Sequence, residues 1–300
     1  MRSFLLGLIL VFGSASLSAQ DDLLSLIEDD AEEETIYASA LWKTTRVINL
    51  QSLENVAPGA LDFRISHRFG FVNQGIYEFF GLDNATIRFG LELGLTDRLM
   101  AGFGRSSFQK TFDGFLKYKL LRQSTGKKSM PISVSAFTSM TINTLKNDDP
   151  DIEVLFSSRL AFAFQVIIGR KFSEGFTMQF SPTLIHRNLV ETTDEENDVY
   201  ALGIAGRHKI GKRIAINAEY IHVFPGQISD EYTNSLSIGV DIETGGHVFQ
   251  LHFTNSTAMV EKGFVAENTG DFFKGDIRFG FNISRVFHLW DHKGEKGKKP

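Results

Sequence analysis

Thr86-Ile87-Arg88-Phe89-Gly90-Leu91-Glu92-Leu93-Gly94-Leu95 decides the fold of this chain. Apolar side chains alternate with polar ones or glycine along the whole stretch. Successive residues of a β-strand point to opposite faces, so this pattern makes a strand with one apolar and one polar face. An amphipathic helix would repeat its apolar residues every three or four positions instead. The same period of two recurs on both sides. Leu61, Phe63 and Ile65 alternate with Asp62, Arg64 and Ser66. Leu160, Phe162, Phe164, Val166 and Ile168 alternate with Arg159, Ala161, Ala163 and Gln165. Ile277, Phe279, Phe281 and Ile283 alternate with Arg278, Gly280 and Asn282.

About twelve such segments follow one another, near 60–70, 85–96, 98–107, 111–122, 131–143, 156–170, 175–188, 199–210, 213–224, 233–243, 246–256 and 275–288. Soluble strands average about five or six residues. These run to about 10–14, enough to cross a bilayer when tilted. The links sort into two classes. Those at 96–98, 169–175, 210–213 and 244–246 are short; those at 71–84, 143–156, 189–198, 225–232 and 255–274 are longer and more polar, and the 122–131 link is longer than its class predicts. Short turns at one end and long loops at the other are the asymmetry of an outer-membrane barrel, whose short turns face the periplasm. The expectation is an all-β, antiparallel, up-and-down transmembrane barrel of about twelve strands with both termini periplasmic.

A soluble barrel or sandwich is the competing fold. Its water-facing side would be rich in Lys and Glu. Here the polar face carries many small residues, among them Ser133, Ser135, Ser139, Ala161, Ala163, Ala201, Gly203, Ala205, Ser237, Gly239 and Gly280. Small residues suit a crowded lumen or a space kept for an insert. Composition agrees with long strands: the 300 residues include 28 Phe and 27 Gly but only 6 Pro. No cysteine is present, which excludes disulfide frameworks, Cys-based zinc sites, thiol nucleophiles and a lipidated cysteine. A formal net charge of -5 argues against a general nucleic-acid partner.

The flanks divide the chain further. Met1 and Arg2, the apolar run from Phe4 to Gly13 and the small residues up to Ala19 read as a signal peptide over 1–19. Residues 20–56 form an arm. It opens with eight acids and no base between Asp21 and Glu34, then turns apolar with Trp42, Val47, Ile48, Leu50 and Leu53. That second half is too apolar for a spacer. It is expected to tuck into the lumen or cap its periplasmic mouth as a plug, with Trp42, Arg46 and Glu54 as its anchors. The barrel occupies 57–289, and residues 290–300 form a basic periplasmic tail with Lys293, Lys296, Lys298 and Lys299.

Several strings in the chain resemble an uncharacterised family of outer-membrane β-barrel proteins of Bacteroidota. They are Thr45-Arg46-Val47-Ile48-Asn49, Ser52-Leu53-Glu54, Ile65-Ser66-His67-Arg68-Phe69-Gly70, Gly94-Leu95-Thr96-Asp97-Arg98-Leu99, Ser181-Pro182-Thr183-Leu184, His186-Arg187-Asn188 and Phe279-Gly280-Phe281-Asn282-Ile283-Ser284-Arg285. The resemblance spans roughly 42–287. It implies a membrane barrel and no catalytic residues.

Parity assigns a lumen-lining set: Arg64, Arg68, Arg88, Glu92, Asp113, Lys117, Lys119, Arg159, Arg187, Arg207, Glu219, Asp241, His252 and Arg278. Such a set either lines a basic-biased channel that favours anions or pairs off as salt bridges that fill a narrow lumen. Outer-membrane hydrolysis would need a Ser–His pair on one face, and no strand His has Ser at i±2. No catalytic residue, metal site or cofactor is assigned. The acidic runs 148–153 and 191–198 could bridge to lipopolysaccharide cations, though a solvated loop tip is the simpler reading. The leading function is a conduit for small polar or anionic solutes in the outer membrane. The alternative is a closed scaffold barrel that binds a periplasmic or outer-membrane partner, with hydrolysis third.

Overall fold

The structure is a computed structural model that describes residues 34–147 and 154–290. The expected signal peptide, most of the acidic opening of the arm, the 148–153 run and all but the first residue of the expected 290–300 tail lie outside the described residues. Twelve strands form a closed barrel. In chain order they are β1 Ala60–Phe71, β2 Ala85–Gly94, β3 Leu99–Ser106, β4 Phe112–Leu121, β5 Ser133–Ile142, β6 Leu160–Lys171, β7 Phe176–Arg187, β8 Asp198–Lys209, β9 Ile214–Val223, β10 Ser235–Thr244, β11 His247–Thr254 and β12 Arg278–His288. Each pairs antiparallel with its neighbours in sequence, and β12 returns to β1 with Ile283 opposite Ile65 and Ser284 opposite Arg64. The expected strand number, pairing and order are all present.

Alternation in the sequence becomes alternation in burial. Along β1, Ala60, Asp62, Arg64, Ser66, Arg68 and Gly70 are buried while Leu61, Phe63, Ile65, His67 and Phe69 face outward. The buried face is the polar one, the reverse of a water-soluble barrel. Outward Phe89, Leu91, Phe103, Leu116 and Phe164 each leave roughly half of their surface uncovered by protein.

Both ends of the wall meet at the short-turn end, where the backbone N–H groups of Leu289 and Trp290 donate to the Gly59 carbonyl at 2.8 and 3.2 Å. Gly59 has φ +75, and a Cβ there would sit 2.1 Å from the Trp290 carbonyl oxygen. Gly59→Ala therefore meets both backbone strain and a backbone clash at the closure. The expected result is a lower melting temperature of heat-modifiable migration, equivalent to about 1–3 kcal/mol, with the β-sheet spectrum unchanged; an unshifted transition would show that the closure does not limit stability.

The links follow the two expected classes with two departures. At the long-loop end the 107–111 link is tight, closed by Ser106 N–H to the Thr111 carbonyl at 2.8 Å. The long 122–132 link at the other end carries the two-residue strand Ser124–Thr125, which pairs with Ile36–Tyr37 of the arm. Its extra length receives the arm. The larger correction concerns residues 255–274, expected as an outer loop. Asn255, Ser256, Ala258–Val260 and the helix α1, Glu261–Ala266, are buried, and α1 packs against β6, β7 and β9. Residues 255–266 fold back into the barrel, where Ala258, Met259, Val260, Phe264 and Val265 are buried.

Candidate functional site

The site is the lumen, filled from both ends. From the short-turn end, residues 45–52 enter as a hairpin. Val47 N–H donates to the Leu50 carbonyl at 2.7 Å, and Ser52 N–H to the Thr45 carbonyl at 2.9 Å. At the tip, the N–H groups of Ile48, Asn49 and Leu50 converge on the Glu219 carboxylate of β9 at 3.2, 2.8 and 3.0 Å. Successive backbone N–H groups turned to one point form an anion-binding nest, and here the wall supplies the anion.

Wall side chains satisfy the hairpin's carbonyls in turn. Gln250 donates to Val47, Asn282 to Ile48 and Gln179 to Gln51, while Lys117 reaches both Thr45 and Ser52 at 3.0 and 3.1 Å. Buried backbone polar groups need partners, and side chains of the barrel stand where water or a neighbouring strand would. Shape matches as well. A Cβ on Gly169 would meet Leu53 at 2.7 Å, one on Gly203 would meet Leu50 at 2.9 Å, and one on Gly239 would meet Ile48 at 3.2 Å. Three wall glycines are thus the pits in which three arm side chains sit.

From the long-loop end, α1 brings Phe264, Val265 and Ala266 against the apolar side of the lumen, which includes Ile185, Val199, Ala201 and Ile221. The two inserts touch. Arg46 Nη1 lies 3.0 Å from Glu261 Oε1, and Gln51 Nε2 donates to the same oxygen at 3.2 Å. Glu92 lies 4.0 Å from Arg46 on its other side.

Eleven of the fourteen residues assigned to the lumen by parity fall into three groups. Arg64, Arg68, Glu92, Lys117 and Glu219 meet the arm: Arg64 donates to Thr45 at 3.0 Å, Arg68 to Asn49 at 2.9 Å, and Glu92 accepts from Thr45. Arg88 pairs with Asp113, and Arg187 with Glu195, both within the wall and its loops. Asp241 accepts from Gln250 at 2.6 Å, Arg207 is buried with Nε and Nη2 unpartnered, and His252 is wedged between Gly239 and Gly280. Lys119 stands at the short-turn mouth, 3.8 Å from Glu54, whose other oxygen accepts from Leu41 N–H at 2.8 Å. Trp42 is buried beside it.

Two assignments are corrected. Arg159 precedes β6 in a short 3-10 turn and donates to the carbonyls of Asn143 and Leu145, so it belongs to the long-loop rim. Arg278 sits at an irregularity in the β12–β1 register; its guanidinium lies 3.6 Å from the Phe71 ring centroid and donates to the Phe69 carbonyl, again at the rim. The sequence reading missed Gln179, Gln250, Asn282, Gln51 and Glu261. The first three lie at inward parity but carry no charge, and Glu261 lies in a link with no period. Glu195, from the acidic run 191–198, is turned inward onto Arg187. Among the described residues no three His or acidic groups cluster as metal ligands, and no Ser hydroxyl bonds the ring of His67, His186, His208, His222, His247 or His252.

A closed antiparallel barrel with an even strand number, an apolar outer wall and a polar lumen is an outer-membrane β-barrel protein. Residues 42–287 match the family described as a membrane bound beta barrel domain, DUF5777, and the chain belongs to that family. No curated protein is similar to it in sequence. Among solved structures it is similar to the NanC porin (8% identity, 77% of this chain and 100% of that one, TM-score 0.45). An outer membrane channel from Pseudomonas putida F1 gives 16%, 79%, 98% and 0.46. An active-site variant of outer membrane phospholipase A from Escherichia coli gives 12%, 84%, 100% and 0.46. Likenesses this distant bear on neither solute nor chemistry.

Proposed function

We propose that the protein is a gated conduit for small polar or anionic solutes, closed at rest by the arm, with its short-turn end and arm in the periplasm. One observation carries this reading: the hairpin tip is held mainly by wall side chains bonded to its backbone. Water can replace such bonds when the hairpin leaves, because the wall groups left behind are charged or amide groups suited to a wet pore. Departure would free Arg68 and Lys117 but also Glu92 and Glu219 from their arm partners, while Asp113 stays on Arg88 and Arg64 keeps Asp62 at 3.7 Å and Glu92 at 3.9 Å. The exposed set is mixed in sign, as a passage for small polar solutes requires.

A second reading has its own support. Leu41, Trp42, Val47, Leu50, Leu53 and Val56 of the arm all join the buried apolar core. Burial on that scale suits a permanent plug, and the barrel would then be a scaffold for an outer-membrane or periplasmic partner. Single-channel recording of the refolded full-length barrel in a planar bilayer under a KCl gradient separates the two. The conduit predicts brief openings from a closed baseline, with the reversal potential reading the ion preference of the open lumen. A barrel with heat-modifiable migration that stays silent at every voltage overturns it in favour of the scaffold.

A further inference from the structure

Pro182 lies in the middle of β7, in a wall that has no edge. Proline has no N–H to give to a ladder and is otherwise confined to edge strands, strand starts and bulges. The ladder records the cost. Between β6 and β7 the pairs run to Gln165–Thr183 and resume at Ile168–Phe180; none forms at Val166–Pro182 or Ile167–Ser181. The register is the same on both sides of the gap, so no residue has been inserted. What the position gains is shape.

Pro182 lines an apolar groove of about 820 Å³ on the outer wall. Two rows of cross-strand neighbours frame it. One is Tyr118–Ala136–Val166, continuing to Pro182; the other is Leu116–Thr138–Phe164–Leu184–Tyr200. Ala136, Thr138 and the Pro182 ring are the low points. Leu116, Tyr118, Phe164 and Tyr200, each about half exposed, stand up around them. From β4 to β8 the groove crosses four strand spacings, about 19 Å. Running at about 45° to the membrane normal, it covers about half of the ~30 Å hydrocarbon core, the depth of one leaflet. Its upper end has a polar terminus. Two residues beyond the Leu184–Tyr200 pair on the same outward face, His186 Nδ1 and Asp198 Oδ1 are 2.6 Å apart.

We propose that this groove seats one acyl chain of a membrane lipid, with the lipid's head group at Tyr200 and the His186–Asp198 pair. The wall faces lipid, so only a bilayer component reaches the groove. Its apolar lining, one-leaflet depth and single polar end match one amphiphile whose head lies at the long-loop side. The inference stands apart from solute conduction and holds whether the lumen opens or not.

The test is native mass spectrometry of the refolded protein titrated with dipalmitoyl phosphatidylethanolamine. The wild-type barrel should retain one lipid at collision energies that strip the others. Ala136→Leu/Thr138→Leu fills the floor and should weaken that retention about tenfold, equivalent to about 1.4 kcal/mol. Ile216→Phe/Ile238→Phe, outward on a distant part of the wall, should leave it unchanged. Ala136→Leu alone serves if the double variant fails the heat-modifiability check. Loss of all lipids together from the wild type, or equal loss in the groove and distant-wall variants, overturns the proposal and leaves the groove to ordinary annular lipid.

Discussion

Deletion of residues 36–56 should turn a barrel that is closed at rest into one that conducts continuously. The arm fills the short-turn half of the lumen, and its loss also acts on the other half. Glu261 is buried, and Arg46 at 3.0 Å is its ion-pair partner. Removing one member of a buried pair leaves an uncompensated charge at a cost of about 3–5 kcal/mol. That cost is relieved if α1 and its flanks move out to water. The in–out balance of residues 255–268 therefore shifts by about two to four orders of magnitude. Single-channel traces should show steady openings in the deletion variant. Adding Glu261→Gln to it should lower the open fraction, because the uncharged side chain tolerates burial. A correctly folded deletion barrel that remains silent would refute both the plug and its coupling to α1.

Glu219→Ala should release the hairpin tip and leave the barrel intact. Three backbone N–H groups share the Glu219 carboxylate, and hydrogen bonds to a charged group contribute about 1.5–3 kcal/mol each. The three are not additive, but even the lower bound for two of them is comparable with the cost of undocking a short hairpin. Without the carboxylate the N–H groups are better hydrated outside. Trp42 reports the event: it is 2% exposed, whereas Trp290 is 43% exposed. In a Trp290→Phe background, Glu219→Ala should red-shift Trp42 emission and open it to iodide quenching. Glu219→Gln, which keeps one acceptor oxygen, should do so less. Heat-modifiable migration should persist, since the β9 ladder does not use the side chain. A Trp42 that stays blue and unquenched would mean that the apolar contacts of Leu50 and Leu53 hold the arm unaided.

Much of this molecule can be read before it is seen. The alternation from Thr86 to Leu95 and its repeats specify face, length and order of the strands, because a period of two leaves no freedom about which side chains share a side. The arm is legible for a different reason: Trp42, Val47 and Leu50 sit where a spacer would be polar. Parity also placed Glu219 and Lys117 inside. It could not say that both meet the arm, because facing inward fixes neither the axial level of a residue nor its neighbour two strands away. Arg159 and Arg278 were misplaced where the period itself fails, one before a strand begins and one at a register irregularity. The second insert was the hardest to see. Ala258-Met259-Val260 and Phe264-Val265-Ala266 are apolar but separated by Glu261, Lys262 and Gly263, and short runs of that kind carry no period that distinguishes an inward fold from an outward loop.

The contact of Arg46 with Glu261 joins a segment that enters at one membrane face to a segment that enters at the other. If both segments move, that contact couples their positions, and by linkage the coupling free energy is the same read in either direction. A grip on the arm from one compartment changes what the loop presents to the other, and an encounter at the loop changes how firmly the arm is held. One buried ion pair is thus the point at which the two ends of the barrel meet.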